Sequence, residues 1–320
     1  MKTIVAVAAA LLSLAGAAAH AAYPDRPIRL MVPFAAAGES DSMARIIAEK
    51  ISIRLGQPIL IENKPGGDTR IATEMVAKSA PDGYTMLMVS VNFAAVNKAL
   101  YPNLPYNQKT DFTPVVQLAS APSMFVVSTT LGVHSFKEFI DKARRNPGKL
   151  NYGTSSSTVL VYDKEFQSLM GFSGTQIPFK GMAPALQSLA AGDIQYTWGP
   201  PASIAPILAT GRIMALATTG KTRMKQFPNV PTIYELGVPE LADTRGGWWG
   251  ILAPAGTPKE IVDRWNAAAN EALQMPDVRT KLATIEMTPE GGKPEELGGL
   301  IDRQLTKFQG WIVKHNIKPD

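Results

Sequence analysis

Residues 28–63 read IRLMVPFAAAGESDSMARIIAEKISIRLGQPILIEN and contain the clearest fold signal in the chain. The first seven of these residues form a short apolar run typical of a buried strand, and residues 41–55 place apolar side chains at helical spacing. Gln57 and Pro58 restart the chain, and residues 59–63 form a second apolar run. A strand, a helix and a second strand in this order predict a parallel sheet flanked by helices.

The alternation of strands and helices continues along the rest of the chain. Further strands are expected near residues 84–91, 124–128, 149–153, 176–179, 194–198 and 213–218, and further helices near residues 71–79, 135–145, 164–170, 183–191 and 202–210. Three last helices, near residues 258–273, 276–283 and 294–315, are expected to pack on the first part of the chain. The pattern predicts an α/β protein.

A chain of 320 residues is better suited to two lobes than to one large core. The first lobe is predicted to comprise residues 22–121 and 244–320, and the second lobe residues 122–243. Each lobe is expected to be a mostly parallel sheet flanked by helices. The chain then crosses between the lobes twice, near residues 115–124 and 245–253, and paired crossovers make a natural hinge.

The N-terminus has the features of a secretory signal peptide. Lys2 precedes a short apolar segment, and Ala19, His20 and Ala21 form a small-residue cleavage site. Residues 1–21 are therefore predicted to be removed on export, which places the mature protein in the periplasm. No later stretch approaches the ~20 uninterrupted apolar residues of a membrane span.

The composition excludes several kinds of site. The 320 residues include no cysteine, so catalysis by a thiol is excluded. Beyond the signal peptide there are two histidines, His134 and His315, which are far apart in sequence and expected at the surface. Neither a metal nor a cofactor is predicted. A net charge of +5 without a basic run gives no support for a nucleic-acid partner.

Seven groups of short motifs, in order along the mature chain, carry a resemblance to a known family. They are YPDRPI at 23–28 with VPF at 32–34, GQP at 56–58 with ENKPG at 62–66, APDGYT at 80–85, PGKLNY at 147–152, IPFKG at 177–181 with APAL at 183–186, FPNVPT at 227–232 with ELG at 235–237, and APAGTP at 253–258. Together they resemble the substrate-binding proteins of tripartite tricarboxylate transporters, often called Bug receptors. The resemblance implies a type II periplasmic-binding fold that closes by hinge motion. It also implies a non-enzymatic receptor, expected to be monomeric, that hands its solute to membrane transporter subunits.

The resemblance further implies that two strand-to-helix loops, one from each lobe, grip the carboxylate of the ligand. Helix N-termini suit this role because their unpaired N–H groups and positive dipole end attract anions. The first loop covers residues 34–41 and the second covers residues 153–158. The candidate ligand-binding residues on and around them are Phe34, Ala36, Ala37, Gly38, Glu39, Ser40, Ser90, Thr154, Ser155, Ser156, Ser157, Thr158, Phe179 and Trp198.

Both loops depart from the family pattern. Residues 35–37 are alanines where relatives carry Pro and paired Gly, and Ala37 cannot take positive φ as freely as Gly. After the second loop, Val159, Leu160 and Val161 stand where relatives carry a His, which adds an apolar wall. The departures indicate a cleft with small side chains, hydroxyl donors and apolar surface.

Two more departures bear on the ligand. Asp68, Thr69 and Arg70 replace Gly-Gly-Asn, and Arg70 is a candidate to clamp a second carboxylate with its guanidinium. Trp198 is followed by Gly199 where many relatives have an Asp that selects amino groups, so an amino-acid ligand is disfavoured. The ligand is predicted to be a flat or aromatic mono- or dicarboxylate, such as terephthalate. Aliphatic di- or tricarboxylates are the alternative.

Other roles are open for the same residues. The serines at 155–157 can serve as an N-capping cluster, and Arg70 can be a solvated charge. Asp41 is expected to orient the first loop, because an acid beside a bound carboxylate repels it, and Glu39 faces the same objection. The tryptophans at 248–249 are expected to pack in the core or at the hinge.

A rival function is a periplasmic hydrolase that uses a cleft serine as nucleophile. The sequence contains no Gly-x-Ser-x-Gly motif and no base in an identifiable motif beside Ser155, Ser156 or Ser157. A sensing role, in which the closed form signals to a partner, is also compatible with the sequence. The receptor is the function that the residues favour.

Overall fold

The computed structural model describes residues 23–95, 97–101, 103–220, 222–242 and 246–318. The predicted signal peptide lies outside this part of the chain. The strands are β1 (Ile28–Val32), β2 (Ile59–Asn63), β3 (Thr85–Ser90), β4 (Phe112–Ala121), β5 (Met124–Ser128), β6 (Leu150–Thr154), β7 (Gly174–Pro178), β8 (Tyr196–Gly199), β9 (Ile213–Thr218), β10 (Gly247–Pro254) and β11 (Thr288–Gly291).

Helices alternate with these strands. They are α1 (Glu39–Leu55), α2 (Arg70–Ala77), α3 (Val91–Ala95), α4 (Asn97–Leu100), α5 (Phe136–Arg145), α6 (Ser157–Met170), α7 (Met182–Ala191), α8 (Pro201–Leu208), α9 (Pro239–Ala242), α10 (Lys259–Gln274), α11 (Pro276–Thr284) and α12 (Pro294–Lys314), and a 3₁₀ turn covers Thr129–Leu131. Among the residues described, no helix combines the length and the apolar character that a membrane crossing requires.

The strands form two sheets, one in each lobe. The first has the order β11-β4-β10-β3-β1-β2 and the second the order β7-β6-β8-β5-β9. β1 pairs in parallel with β2 and β3, and β6 pairs in parallel with β7 and β8. Strands next to the crossovers add antiparallel pairs, β10 with β3 and β4, and β5 with β8 and β9. The predicted two-lobed α/β fold is confirmed, but the sheets are mixed and not mostly parallel, because the strands that lead into and out of the crossovers run antiparallel to their neighbours.

Alternate residues of β1 face opposite sides of the first sheet, as the strand period requires. Ile28 and Leu30 pack in one cluster with Met43 and Ile47 of α1, whereas Met31 belongs to the cluster on the other side. Each of these side chains is at most 2% exposed. Burial of a side chain of this size stabilises the fold by roughly 1.5–3 kcal/mol, which explains why this stretch determines the first lobe.

The core of the second lobe is built around Phe125. Its ring centroid lies 4.8 Å from that of Phe139, 5.2 Å from Phe166, 5.6 Å from Tyr196 and 4.9 Å from Trp198. All five side chains are buried. Aromatic packing therefore holds this lobe together without any disulfide.

The chain crosses between the sheets over a very short distance. β4 ends at Ala121 in the first sheet, and β5 begins at Met124 in the second. On the return, β10 begins at Gly247, which lies opposite Ala121. The predicted crossover ranges are too wide because most of their residues pair within the first sheet. Two crossovers on neighbouring strands suit a hinge.

The C-terminal helices pack on the first sheet, as expected, and α12 also reaches the second lobe. Asn266 of α10 donates a 2.8 Å hydrogen bond to the carbonyl oxygen of Val115. Beyond α12, His315 Nε2 lies 2.6 Å from Glu165 Oε2, and the His315 side chain is 14% exposed. The surface position expected for His315 is therefore wrong, because α12 packs its end against α6, whereas His134 is exposed as expected.

Some elements are not predicted from local sequence. β4 contains Pro114 and polar residues, and β11 contains Pro289 and Gly291, so neither has the composition of a strand. Helix α6 begins at Ser157, well before residue 164. Its first turns are rich in β-branched residues with low helix propensity, but the Ser156 side chain caps the N-terminus.

Candidate ligand-binding cleft

The cleft lies where the carboxyl ends of the parallel strands of both sheets face each other. β1, β2 and β3 are parallel, so the loops that follow them meet at one edge of the first sheet. The loops after β6, β7 and β8 meet at one edge of the second sheet in the same way. In open α/β sheets, ligands bind outside this end of the strands.

Two hydrogen bonds join these edges directly. Ser157 Oγ donates to Asp68 Oδ2 over 3.0 Å, and Thr158 Oγ1 donates to Asn92 Oδ1 over 2.7 Å. Ser157 and Thr158 form the first turn of α6, whereas Asp68 and Asn92 follow β2 and β3. The lobes therefore touch across the cleft at the N-terminus of α6.

Asp41 holds the first loop in place. Its Oδ2 accepts hydrogen bonds from the Ala37 N–H (2.9 Å) and from Arg45 Nε (3.0 Å), and its Oδ1 accepts one from Asn63 Nδ2 (2.9 Å). Burial by itself raises the pKa of the Asp41 carboxyl, but the hydrogen bonds from Arg45, Asn63 and Ala37 outweigh it and hold the pKa below its usual value. Asp41 is thus an ionised group that orients the loop, as expected.

The loop backbone leaves donors free at the start of α1. Ala36 and Ala37 are exposed, and Ala37 takes a left-handed conformation with φ of 62°, which costs a residue with a Cβ about 1 kcal/mol. Gly38 is the N-cap residue of α1 and makes no side-chain cap hydrogen bond. The N–H groups of the first turn, those of Glu39 and Ser40, are therefore available to an anion.

Ser40 and Ser90 both lie next to Trp249 of β10. Both are buried, and Ser40 Oγ accepts a 2.9 Å hydrogen bond from Trp249 Nε1. Ser90 lies opposite Trp249 in the pairing of β3 with β10. Trp248 and Trp249 are buried, which agrees with the packing role predicted for them. Ser40 therefore connects the end of the first loop to the strand that returns from the second lobe, and Ser90 pairs with the same strand from β3.

Glu39 places a carboxyl group at the N-terminus of α1. Its Oε1 is buried and has no hydrogen-bond partner among the residues described. Burial raises the pKa of the Glu39 carboxyl to about 7. Near neutral pH the group is therefore divided between the acid and the carboxylate, and only the acid form can donate a hydrogen bond to an anion.

The second loop combines helix capping with contacts across the cleft. Ser156 is the N-cap residue of α6, and its Oγ accepts a hydrogen bond from the Val159 N–H over 3.4 Å. Thr154 is buried, and its Oγ1 accepts a 3.0 Å hydrogen bond from Gln176 Nε2. Ser155 lies between them and is half-buried. The capping role thus belongs to Ser156, whereas Ser157 and Thr158 face the other lobe.

A left-handed turn follows β2 at the edge of the cleft. Gly67, Asp68 and Thr69 have φ of 57°, 50° and 74°. The Arg70 N–H closes the turn with a 3.0 Å hydrogen bond to the Gly67 carbonyl oxygen. Asn97 Nδ2 donates to the Asp68 carbonyl oxygen (2.9 Å) and to Thr69 Oγ1 (3.3 Å). Residues with a Cβ rarely take this conformation, and a β-branched Thr does so least readily.

Arg70 is engaged within the first lobe. Its Nε donates to the Gly67 carbonyl oxygen over 2.7 Å, and its guanidinium carbon lies 3.6 Å from the ring centroid of Tyr101. Tyr101 OH in turn donates to Asp68 Oδ2 over 3.2 Å. The guanidinium thus stabilises the left-handed turn through a cation–π contact.

The three aromatic candidates lie at different depths. Phe34 and Phe179 follow β1 and β7 and are half-buried at the edges of the two sheets. Trp198 is 1% exposed, and its ring packs 5.0 Å from Tyr162 and 5.3 Å from Phe166. Its side chain leaves β8 on the side covered by α6, which places it in the core of the second lobe and not on the surface of the cleft.

The residues that make the contacts across the cleft include two that the sequence argument does not select. Asn92 comes directly after the end of β3, and Asp68 lies in the stretch from which Arg70 is chosen. Both are polar residues just beyond the carboxyl end of a parallel strand. That position is the signal that identifies them.

Among the residues described, neither histidine lies beside the cleft serines. Ser157 Oγ donates to a carboxylate, and Ser156 Oγ accepts from the backbone. His134 is exposed before α5, and His315 pairs with Glu165. In the part of the chain that the structure describes, no group of three or more His, Cys, Asp or Glu side chains could hold a metal ion. Among these described residues, the cleft serines therefore have no imidazole placed as in a Ser-His-Asp triad.

Two α/β lobes, a short hinge and a cleft flanked by helix N-termini define the class of two-lobed periplasmic-binding proteins. The profile of the family described as "Tripartite tricarboxylate transporter family receptor" matches residues 43–317. The chain belongs to this family of substrate-binding receptors. Protein BugT of Bordetella pertussis is similar to it, with 32% identity over 324 residues that cover 99% of each chain.

Solved structures agree with this assignment. Rpa4515 of R. palustris, in a structure with adipate, is 33% identical, has a TM-score of 0.80 and covers 93% of this chain and 100% of its own. MatC (Rpa3494) from Rhodopseudomonas palustris, with bound malate, is 32% identical, has a TM-score of 0.76 and covers 91% of this chain and 100% of its own. Membership of this family indicates a general function, which is the binding of a small carboxylate by a transporter receptor.

Proposed function

We propose that this protein is a periplasmic receptor that closes around a small carboxylate and delivers it to the membrane subunits of a tripartite tricarboxylate transporter. The observation that carries the proposal is that the N-terminus of α6 faces the edge of the first sheet from which α1 begins, where Ser157 and Thr158 bond to Asp68 and Asn92 of the opposite lobe. Helix N-termini attract anionic groups. The neighbouring crossovers beside β4 and β10 provide the hinge.

The proposal also includes which acid the receptor binds. The sequence predicts an aromatic acid such as terephthalate from the Ala-rich first loop, the apolar residues after the second loop, one candidate Arg and three aromatic residues, which are Phe34, Phe179 and Trp198. Trp198 and Val161 are core residues here, and Arg70 lies over Tyr101. These placements remove three of the arguments for an aromatic dicarboxylate. Terephthalate therefore stays a prediction beside aliphatic acids such as the adipate and malate of the two relatives.

Export and delivery belong to the same proposal. The predicted signal peptide, residues 1–21, directs the chain to the periplasm. One chain supplies both halves of the cleft, so a monomer suffices for binding, and no catalytic step is needed. The closed form presents a joined surface of both lobes to the membrane subunits.

A thermal-shift screen of the mature protein tests the proposal. The ligands are aromatic and aliphatic mono-, di- and tricarboxylates, with their uncharged amides and amino acids as controls. A ligand at a hundredfold excess over its Kd stabilises the folded state by about 2.7 kcal/mol, which raises the Tm by roughly 5 °C. A shift with at least one carboxylate and none with its amide supports the receptor. No shift with any carboxylate contradicts it.

A further inference from the structure

The N-terminus of α6 already faces a carboxylate that belongs to the protein. Asp68 Oδ2 lies 3.0 Å from the hydroxyl oxygen of Ser157, the first residue of this helix. The positive end of the helix dipole favours a negative charge at this place. Asp68 thus stands where an anionic group of a ligand would interact with the second lobe.

Asp68 is held at this position by a network of the first lobe. Tyr101 OH donates a second hydrogen bond to Oδ2 over 3.2 Å. Asn97, which is 0% exposed, donates to the Asp68 carbonyl oxygen and to Thr69 Oγ1. Asp68 and Thr69 are both left-handed, and such strained backbone persists only where the surroundings fix it, often at functional sites. The position of the carboxylate is therefore determined by the fold.

The neighbouring cation is engaged within the first lobe. The Arg70 guanidinium lies over the ring of Tyr101, and its Nε donates to the Gly67 carbonyl oxygen. A second carboxylate of a ligand placed beside Ser157 would meet the carboxylate of Asp68, which bonds to Ser157. Like charges a few ångströms apart repel each other, and more strongly in a closed cleft than in water.

We infer that Asp68 is a specificity-determining residue that supplies the anion for the second lobe from the protein itself, so that the receptor selects acids with one carboxylate over dicarboxylates of the same length. This inference rests on the proposed function. The single carboxylate of the ligand binds at the N-terminus of α1, where Gly38 leaves the first N–H groups uncapped. The other end of the ligand, next to Asp68 and Ser157, is neutral or donates a hydrogen bond.

The test compares matched pairs of acids by titration calorimetry on the mature protein. The pairs are hexanoate with adipate and benzoate with terephthalate. In the pair that binds, we expect the wild type to bind the monocarboxylate at least tenfold more tightly than the dicarboxylate. Asp68→Asn removes the charge and is expected to lower this preference at least tenfold, mainly through tighter binding of the dicarboxylate.

Two further variants keep the test decisive. Asp68→Gly suits the left-handed φ of 50° and removes the carboxylate in a turn that still folds. Glu74→Gln removes an exposed acid of the same region, one that pairs with Lys78, and should leave the preference unchanged. A wild type that prefers dicarboxylates, or a preference unaltered in both Asp68 variants, overturns the inference while the receptor stands. Failure of every carboxylate to bind overturns the proposed function instead.

Discussion

Trp249 Nε1 donates a 2.9 Å hydrogen bond to Ser40 Oγ, and this contact joins the strand that returns from the second lobe to the first turn of α1. Both side chains are less than 9% exposed. Because β10 continues directly from the second crossover, a movement of the hinge reaches the first binding loop through this pair. The indole of Trp249 is therefore placed to report ligand binding.

Replacement of Trp249 by Phe tests this coupling. The change leaves the Ser40 hydroxyl buried without its donor, which should lower the free energy of unfolding by about 1–3 kcal/mol. It should also remove most of the ligand-induced change in tryptophan fluorescence. The control is Trp265→Phe, because Trp265 Nε1 bonds to Tyr23 at the other end of the parallel strands. Equal fluorescence changes in both variants would show that Trp249 does not sense the ligand.

The left-handed Ala37 in the first loop predicts a stabilising substitution. Ala37→Gly relieves the strain at φ 62° and should raise the free energy of unfolding by about 0.5–1 kcal/mol, since the relief exceeds the entropy cost of glycine. Ala35→Gly, in the same loop but not left-handed, should lower it by a similar amount. Urea denaturation measures the free energy of unfolding of each variant and of the wild type. A loss of stability in both variants contradicts the argument from strain.

The carboxyl group of Glu39 predicts that ligand binding depends on pH. Burial raises its pKa to about 7, so the neutral acid below this pH tolerates a bound carboxylate and the ionised form above it repels one. Affinity for the acid should fall about tenfold between pH 6 and pH 8. The Asp41 carboxyl is ionised throughout this range, so it does not make the affinity depend on pH. Calorimetry on Glu39→Gln should give an affinity independent of pH, and an unchanged profile would exclude Glu39 as its source.

A buried acid in the second lobe makes stability depend on pH. Asp163 is 1% exposed, accepts hydrogen bonds from Gln167 and Tyr196, and has its pKa raised to about 7, chiefly by burial. The folded state binds the proton of Asp163 more tightly than the unfolded chain does. The protonated carboxyl group therefore contributes fully to the free energy of unfolding below pH 4, and this contribution is lost as pH rises to about 7.

Asp163→Asn should therefore change how stability responds to pH. At pH 8 the variant should be more stable than the wild type, by up to about 4 kcal/mol, and the difference should shrink toward pH 4. Thermal or urea denaturation at both pH values measures this difference. A variant that is less stable than the wild type at pH 8 contradicts a raised pKa for Asp163.

The sequence predicts the parts of the fold that depend on local patterns. β1 and α1 follow from runs of apolar residues with periods of two and 3.6, and the N-cap at Ser135 follows from its position before α5. β11 could not be predicted, because Thr288–Gly291 becomes a strand only by pairing with β4. Such pairing joins residues that are about 170 positions apart in the chain.

The candidate site is predicted in outline but not in detail. The two loops are found because both follow parallel strands and precede helices. The side chain of Trp198 faces the core instead of the cleft, since a shift of one residue along a strand changes the face on which a side chain lies. The choice between Arg70 and Asp68 depends on a left-handed turn fixed by Asn97, which is remote in sequence. No local pattern shows which of these two charges faces the second lobe.

Whether the N–H groups at the start of α1 hold the carboxylate of the ligand is best determined by comparing Glu39→Pro with Glu39→Ala. Proline removes one N–H at the first helical position, where it is well tolerated, and the extended conformation of Gly38 is compatible with a following proline. Alanine removes the same side chain and keeps the N–H. The measurement is the Kd of the acid that binds most tightly in the screen, determined by calorimetry. We expect at least tenfold weaker binding to Glu39→Pro than to Glu39→Ala, and equal affinities would show that this N–H group does not hold the carboxylate.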